Sequence, residues 1–268
     1  MSTTTWSKDG TIATIKLARA DKRNAMGMAF WDEFPAVVDE VCADPEVRVI
    51  IVAGDGRDFT VGLDLVETAP FFMKTAQRGV AGRAQVMGMV KKMQHAFNVL
   101  EETDIPVITA VHGWCIGAGI DLITAADIRL GTADSRYSVR ETKVAIVADL
   151  GTLQRLQKVI PRGIAAEWAL TGKDVNAAEA HRVGLLNHVY ADQETLMAEA
   201  TKMAQEIASN SPLSVRGTKA VMRYSADRPT SEGLTHVALW NTAYLHSEDL
   251  MEAITAFQEK RAPQFRGR

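Results

Sequence analysis

Residues 107–156 read VITAVHGWCIGAGIDLITAADIRLGTADSRYSVRETKVAIVADLGTLQRL. The stretch starts as an apolar strand, turns at Gly117-Ala118-Gly119, opens a helix, and then makes a second pass richer in acids. Short apolar runs of this kind belong to strands covered on both faces, as in sheets wrapped by helices. The glycine turn leaves amide N–H groups at the helix start without intrahelical partners, and the positive end of the helix dipole adds to them. Such a turn can stabilise an anion, an enolate oxygen included. It can equally be a plain packing device that lets helix and strand approach, and spacing alone does not separate the two. It is not the dinucleotide fingerprint, because Leu122 stands where that pattern needs glycine or alanine.

Working outward, residues 11–18 alternate apolar and polar beside a hairpin opened by Asp9-Gly10. A polar loop, RADKRNAMGMAF, leads into a helix with Phe30, Phe34, Val37, Val38 and Val41 at helical spacing, Pro35 inside it and Pro45 beyond its end. VRVIIVAG at 47–54 is a second buried strand, and it too ends in a turn, FTVGLDL at 59–65. Residues 66–85 have no clean period and read as a mobile segment lining a pocket. A helix follows over about 86–101, with Met89, Met93, Phe97 and Leu100 on one face. Downstream, 161–175 hold a helix ending at Thr171-Gly172, and 176–190 a short helix and a strand. From 193 onward the pattern is helical. Alternating strand, turn and helix place the chain in the α/β class. The expected division is a core carrying the active site at 1–192 and a helical oligomerisation region at 193–268.

Composition narrows the function classes. The chain has 268 residues, enough for a sizeable core, with 47% hydrophobic and 24% charged residues. A net charge of -3 offers no field for nucleic acid or an anionic membrane. Cys42 and Cys115 lack paired-ligand spacing, which argues against a disulfide framework or a zinc site. No apolar run approaches the ~20 residues that span a bilayer. The first residues show no signal pattern and the last, QFRGR, no peroxisomal address. The expectation is a cytoplasmic protein without metal, cofactor, membrane or nucleic-acid partner.

Three acids then draw attention, each beside an ordinary explanation. Asp121 falls in the first turn of a helix, where the dipole favours acids anyway. Glu141 lies among Arg136, Arg140 and Lys143, as a surface ion pair would. Asp149 precedes Leu150-Gly151-Thr152 and a helical run, the place of an N-cap. The surroundings of Asp149, AIVADLG, are nevertheless mostly apolar, and a buried acid needs a reason. The second turn, 59–65, is positioned to bring one amide toward the first, as an oxyanion site requires, although a strand-ending loop explains it too. His112 reads as a structural hydrogen-bonder, and His181, His188, His236 and His246 show no metal-ligand spacing.

Taken together, DKRNAM, VRVIIVAGDGRDFTVGLDL, IPVITAVHGWCIGAGIDLITAADIRL and LTGKDVNAAEAHRVGLLNHV resemble the enoyl-CoA hydratase/isomerase (crotonase) superfamily over nearly the whole chain. The IDL, VRE and VADLGTLQRL surroundings of the three acids are most similar to its dienoyl-CoA isomerases. A typical hydratase has glutamates at the first two positions and glycine at the third. The resemblance implies a crotonase-like spiral of ββα repeats with a C-terminal helical trimerisation region, assembled as a homotrimer or as a homohexamer built from two trimers. It implies an acyl-CoA thioester substrate, coenzyme A being part of that substrate. The thioester oxygen would sit between the Leu63 and Ala118 amides, with Gly117 beside it. Lys22 and Ala25 match the loop bordering the CoA moiety, and Val61 a position near its adenine. Ala118 and Ala20 stand where relatives have glycine and proline. Glu141 and Asp149 would transfer protons between C2 and C6 of a 3,5-dienoyl thioester in β-oxidation, with Asp121 orienting or tuning one of them. The alternatives are a 2-enoyl-CoA hydratase using Glu141 and Asp121, another acyl-CoA reaction, and a non-catalytic or RNA-binding relative.

Overall fold

The fold, obtained as a computed structural model, describes residues 2–268. Strands β1 (Thr4–Asp9) and β2 (Ile12–Leu17) form a hairpin in antiparallel register, closed at Gly10, whose φ of 57° suits a residue without Cβ. Helix α1 (Phe30–Ala43) runs on through Pro35 to β3 (Val49–Gly54), every residue of which is buried. Then come α2 (Leu65–Ala76) and α3 (Gly79–Glu102), and two turns of the spiral. The first is β4 (Val107–Val111), β5 (Trp114–Ile116) and α4 (Ala118–Ala125). The second is β6 (Ile128–Thr132), β7 (Arg136–Ser138) and α5 (Thr152–Val159). In each turn the first strand joins a six-stranded sheet and the second a three-stranded one.

Helix α6 (Arg162–Thr171), β8 (Val175–Asn176), α7 (Ala177–Arg182) and β9 (His188–Tyr190) finish the spiral. Four helices follow: α8 (Gln193–Ala208), α9 (Pro212–Ser225), α10 (Thr230–Tyr244) and α11 (Glu248–Glu259). The large sheet runs β1-β2-β3-β4-β6-β9, parallel except for the hairpin; the small one runs β5-β7-β8.

Alternation along β3 splits the core in two. Ile50 and Val52 face a main core with Phe30, Trp31 and Phe34 of α1, Phe97 of α3 and Ile120 of α4. Val49 and Ile51 face the other side, where Leu196, Ala200 and Ala204 of α8 cover the sheet. Helix α9 is tied under the end of α3 by the buried Lys219, which donates to the Leu100 and Ile105 carbonyls and pairs with Asp127. No helix of the described residues is long and apolar enough to cross a membrane.

The segment 66–85, expected to be mobile, is helical. It is α2 and the first turns of α3. Asp64 caps α2 by accepting the Glu67 amide at 3.0 Å, an acid-x-x-Glu pattern that marks a helix start. Gly82 lets α3 cross directly over the Thr75 carbonyl.

Candidate active site

The two turns meet edge to edge. Thr60 donates its amide to the Trp114 carbonyl and accepts the Ile116 amide, zipping residues 59–63 onto β5. Gly62 (φ 81°) touches the other turn so closely that a Cβ there would lie 2.6 Å from the Ile116 oxygen and 3.3 Å from the Ala118 nitrogen. Asp58, buried beneath, accepts from the Trp114 amide at 3.0 Å and from Arg23 at 2.7 Å. Burial alone would raise its pKa, but Arg23, that amide and Arg57 outweigh it and hold the carboxyl below its ordinary range. Leu63 and Ala118 are thus placed on adjoining turns, and their amides find no acceptor among the described residues. Ala118 is the first residue of α4, where a free N–H is expected.

Glu141 begins a short 3-10 turn after β7. It makes no ion pair among the described residues: Arg140 goes to Asp174, and Arg136 donates to the Asp134 and Ser135 carbonyls. Its carboxylate instead lies over Gly117, with Oε1 3.3 Å from where a Cβ at 117 would stand. Oε2 is buried without a hydrogen-bond partner. Burial, then the charge of Asp149, raises the Glu141 pKa. Asp149 does not cap α5. It opens toward the same cavity as Glu141, and partial burial raises its pKa as well. Its backbone carbonyl accepts the Gln94 side-chain amide of α3 at 2.6 Å.

Asp121 stands behind the cavity wall, 1% exposed. Its Oδ1 accepts the Thr152 amide at 2.5 Å, and its Oδ2 is buried without a partner. Burial, then the nearby Glu141 charge, pushes its pKa up to about 7.

The cavity measures about 640 Å³. Leu65 and Phe72 of α2 and Val86, Met89, Val90 and Met93 of α3 form one wall, and Val144, Ala145, Ile146, Val147 and Leu150 the opposite one. Val61, Leu63, Gly117 and Ala118 line its floor with Glu141, Asp149 and Arg140. Lys22 and Ala25 fall outside the lining; Lys22 is exposed on the 3-10 turn Ala20–Lys22, and its charge reaches Asp64. The contributions of Leu65, Phe72 and Gln94 escape sequence reasoning, and only the Asp64-x-x-Glu67 cap hints at the helix that brings the first two. Chemically, the floor offers free amides for a developing oxyanion beside two carboxylates of raised proton affinity, between mostly apolar walls.

A family model described as enoyl-CoA hydratase/isomerase matches residues 7–268. A delta(3,5)-delta(2,4)-dienoyl-CoA isomerase of Dictyostelium discoideum, named mitochondrial, is 42% identical over 95% of this chain and 87% of its own length. The peroxisomal enzyme of that name in Arabidopsis thaliana is 39% identical over 96% and 93%. The human one, named mitochondrial, is 38% identical over 92% and 76%. Among solved structures, an enoyl-CoA hydratase from Bacillus anthracis superposes with a TM-score of 0.91 at 28% identity, covering 99% of this chain and 100% of that one. These relatives overturn the expectation of a cytoplasmic protein, since they are named for organelles. The expectation rested on short terminal patterns, whereas an organelle address is read by a receptor and leaves no mark on composition or core.

Proposed function

The chain belongs to the enoyl-CoA hydratase/isomerase family, and we propose that it is a dienoyl-CoA isomerase converting 3,5-dienoyl-CoA to 2,4-dienoyl-CoA. The carrying observation is that Glu141 and Asp149 open into one cavity beside two amides without acceptors.

Glu141, lying over Gly117 next to the Ala118 amide, takes a proton from C2. The electron pair of that C–H bond spreads over the thioester oxygen, C2, C4 and C6. The Leu63 and Ala118 N–H groups hold the oxygen, a donor of this kind being worth about 3–4 kcal/mol. Asp149, in its protonated form, delivers a proton to C6, which leaves double bonds at C2–C3 and C4–C5 conjugated with the carbonyl. The proton lost at C2 and the one gained at C6 balance, so no cofactor is needed. Raised proton affinity suits both tasks, since acid–base catalysis contributes about 10²–10⁴-fold when the pKa approaches working pH.

Hydration of a 2-enoyl-CoA would need a second carboxylate beside Glu141 on the attacking water. Asp121, the residue at that position, is behind the wall and committed to the Thr152 amide. Coenzyme A enters as part of the substrate, with Lys22 and Ala25 bordering it and Val61 near its adenine. The C-terminal helices assemble the protein as a homotrimer or as two stacked trimers.

The test is conversion of a 3,5-dienoyl-CoA, followed by the absorbance of the extended conjugation, beside a 2-enoyl-CoA control. Glu141→Gln and Asp149→Asn are each expected to lower turnover at least ~100-fold while a non-reactive acyl-CoA still binds. Near-normal isomerisation by both variants would remove the assignment.

A further inference from the structure

We propose that Asp121 is a positioning residue: it locks the loop that carries Asp149 onto the helix that carries the Ala118 amide. The inference rests on the isomerase reading of the site.

Helix α5 begins at Thr152, whose buried amide has no intrahelical partner. The residue before it cannot supply a cap. Gly151 has no side chain and a φ of 127°, and any Cβ there would strike the Arg155 guanidinium. Arg155 is itself held by Glu101 and Asn98 of α3. Asp149, the acid that sequence offers as the cap, opens into the cavity instead. The acceptor comes from another helix: Asp121 of α4 takes the Thr152 amide at 2.5 Å across 31 residues of sequence. A buried N–H left without an acceptor carries its full desolvation penalty, so this placement of α5 depends on the bond.

Its consequence for chemistry follows from where Asp121 sits. Ala118 and Asp121 lie within one turn of α4, so the oxyanion amide and the Thr152 acceptor move as one body. Thr152 in turn follows Asp149 by three residues. Among the described residues the other side-chain tethers of this loop reach its backbone: Gln94 donates to the Asp149 carbonyl at an exposed position, and Arg155 to the Leu150 carbonyl at 3.3 Å. Removal of the proton from C2 happens beside Gly117 and depends on Glu141 and the amides. Delivery to C6, four carbons away, depends on a fixed offset between those amides and Asp149, and the Asp121–Thr152 bond sets that offset. Asp121 has no surface in the cavity and exchanges no proton with substrate.

The test separates the two half-reactions. 3,5-Dienoyl-CoA is incubated in deuterium oxide; deuterium at C2 of recovered substrate reports the first step, and 2,4-dienoyl product the second. Asp121→Ala removes the acceptor. Asp121→Leu removes it while filling the same volume, so loss of packing and loss of the bond are told apart. Both are expected to lose isomerisation about 100-fold, the scale of an ångström of misplacement, and to keep C2 exchange within about 3-fold with little change in KM. Asp121→Asn retains a side-chain carbonyl for Thr152 and is expected to recover at least about a tenth of wild-type isomerisation. Equal loss of exchange and isomerisation in the Ala and Leu variants overturns the proposal, as does an Asn variant no better than the Leu variant. A wild-type protein that exchanges C2 but forms no 2,4-dienoyl product overturns the isomerase reading itself, and the proposal with it.

Discussion

Glu141 has one carboxylate oxygen against the Gly117 backbone and the other buried without a partner. Burial and the neighbouring Asp149 charge raise its pKa, against the backbone amides of Glu141 and Arg140, which lower it, and the raising causes prevail. As a base it must be ionised, so C2 exchange rises with pH through that raised value. Asp149→Asn removes a negative neighbour, which eases ionisation of Glu141 and moves the acid limb to lower pH. A pH profile of deuterium exchange checks this, and a limb that stays put or moves upward contradicts the coupling. Asp121 gives a stability counterpart. Its pKa rises from 3.8 to about 7 on folding, chiefly by burial. The folded state therefore prefers the protonated form, and the stability this contributes, full below the unfolded value, is lost as pH rises through about 7. Asp121→Asn does not titrate. Its stability relative to wild type is expected to improve by up to about 4 kcal/mol between about pH 4 and pH 8, seen in melting curves as a widening difference. A constant difference would mean that the buried carboxyl ionises as freely as in the unfolded chain.

At the scale of elements, α4 reaches the 59–63 turn only because Gly119 is bare. A Cβ there would lie 2.6 Å from the Thr60 methyl and 3.0 Å from the Cys115 sulfur. Gly119→Ala gains about 1 kcal/mol of helix propensity and costs about 1–3 kcal/mol in crowding. It is expected to melt lower and, by tilting the Ala118 amide, to lower kcat at least ~10-fold with KM little changed. Full activity in that variant would show that the close approach does not set the oxyanion geometry. The same scale separates what the sequence discloses from what it hides. β3 and β4 are legible because they are almost continuous apolar runs, broken in β4 by Thr109 alone, and α6 because Gly172 ends it in the left-handed conformation. α2 is hidden because Leu65 and Phe72 face a cavity while Val66 and Met73 face solvent, so apolar residues lie all round it and no period emerges. The three acids are visible as a set, but their division of labour is not. Asp121 caps a helix other than the one it sits on, and only the fold brings residues 121 and 152 together.

For the whole molecule, large apolar side chains stand in solvent in two places: around the cavity mouth and α6 in the core (Val66, Met73, Val80, Val147 and Leu170 among them), and, more densely for their length, on the last helices. Met222 of α9, Leu234 and Leu239 of α10, and Met251 and Phe257 of α11 are each more than 60% exposed, Phe257 reaching 86%. Monomeric soluble proteins rarely leave apolar surface so concentrated, because each buried side chain of this size is worth about 1.5–3 kcal/mol. The net charge of -3 on 268 residues adds little repulsion between copies. These helices hang on the core through polar anchors such as Lys219 to the Leu100 and Ile105 carbonyls, so their outer faces are free to meet other copies. Sedimentation equilibrium is expected to report a multiple of three of the 29.2 kDa chain. Leu239→Glu combined with Phe257→Glu is expected to shift the mass toward one chain, since burying two unpaired carboxylates outweighs the remaining apolar contact. The double variant should keep C2 exchange if the cavity is complete within one chain, as its lining from α2 to the 144–150 loop indicates. A wild-type protein that sediments as a monomer, or a double variant that stays assembled, removes these two helices from the interface.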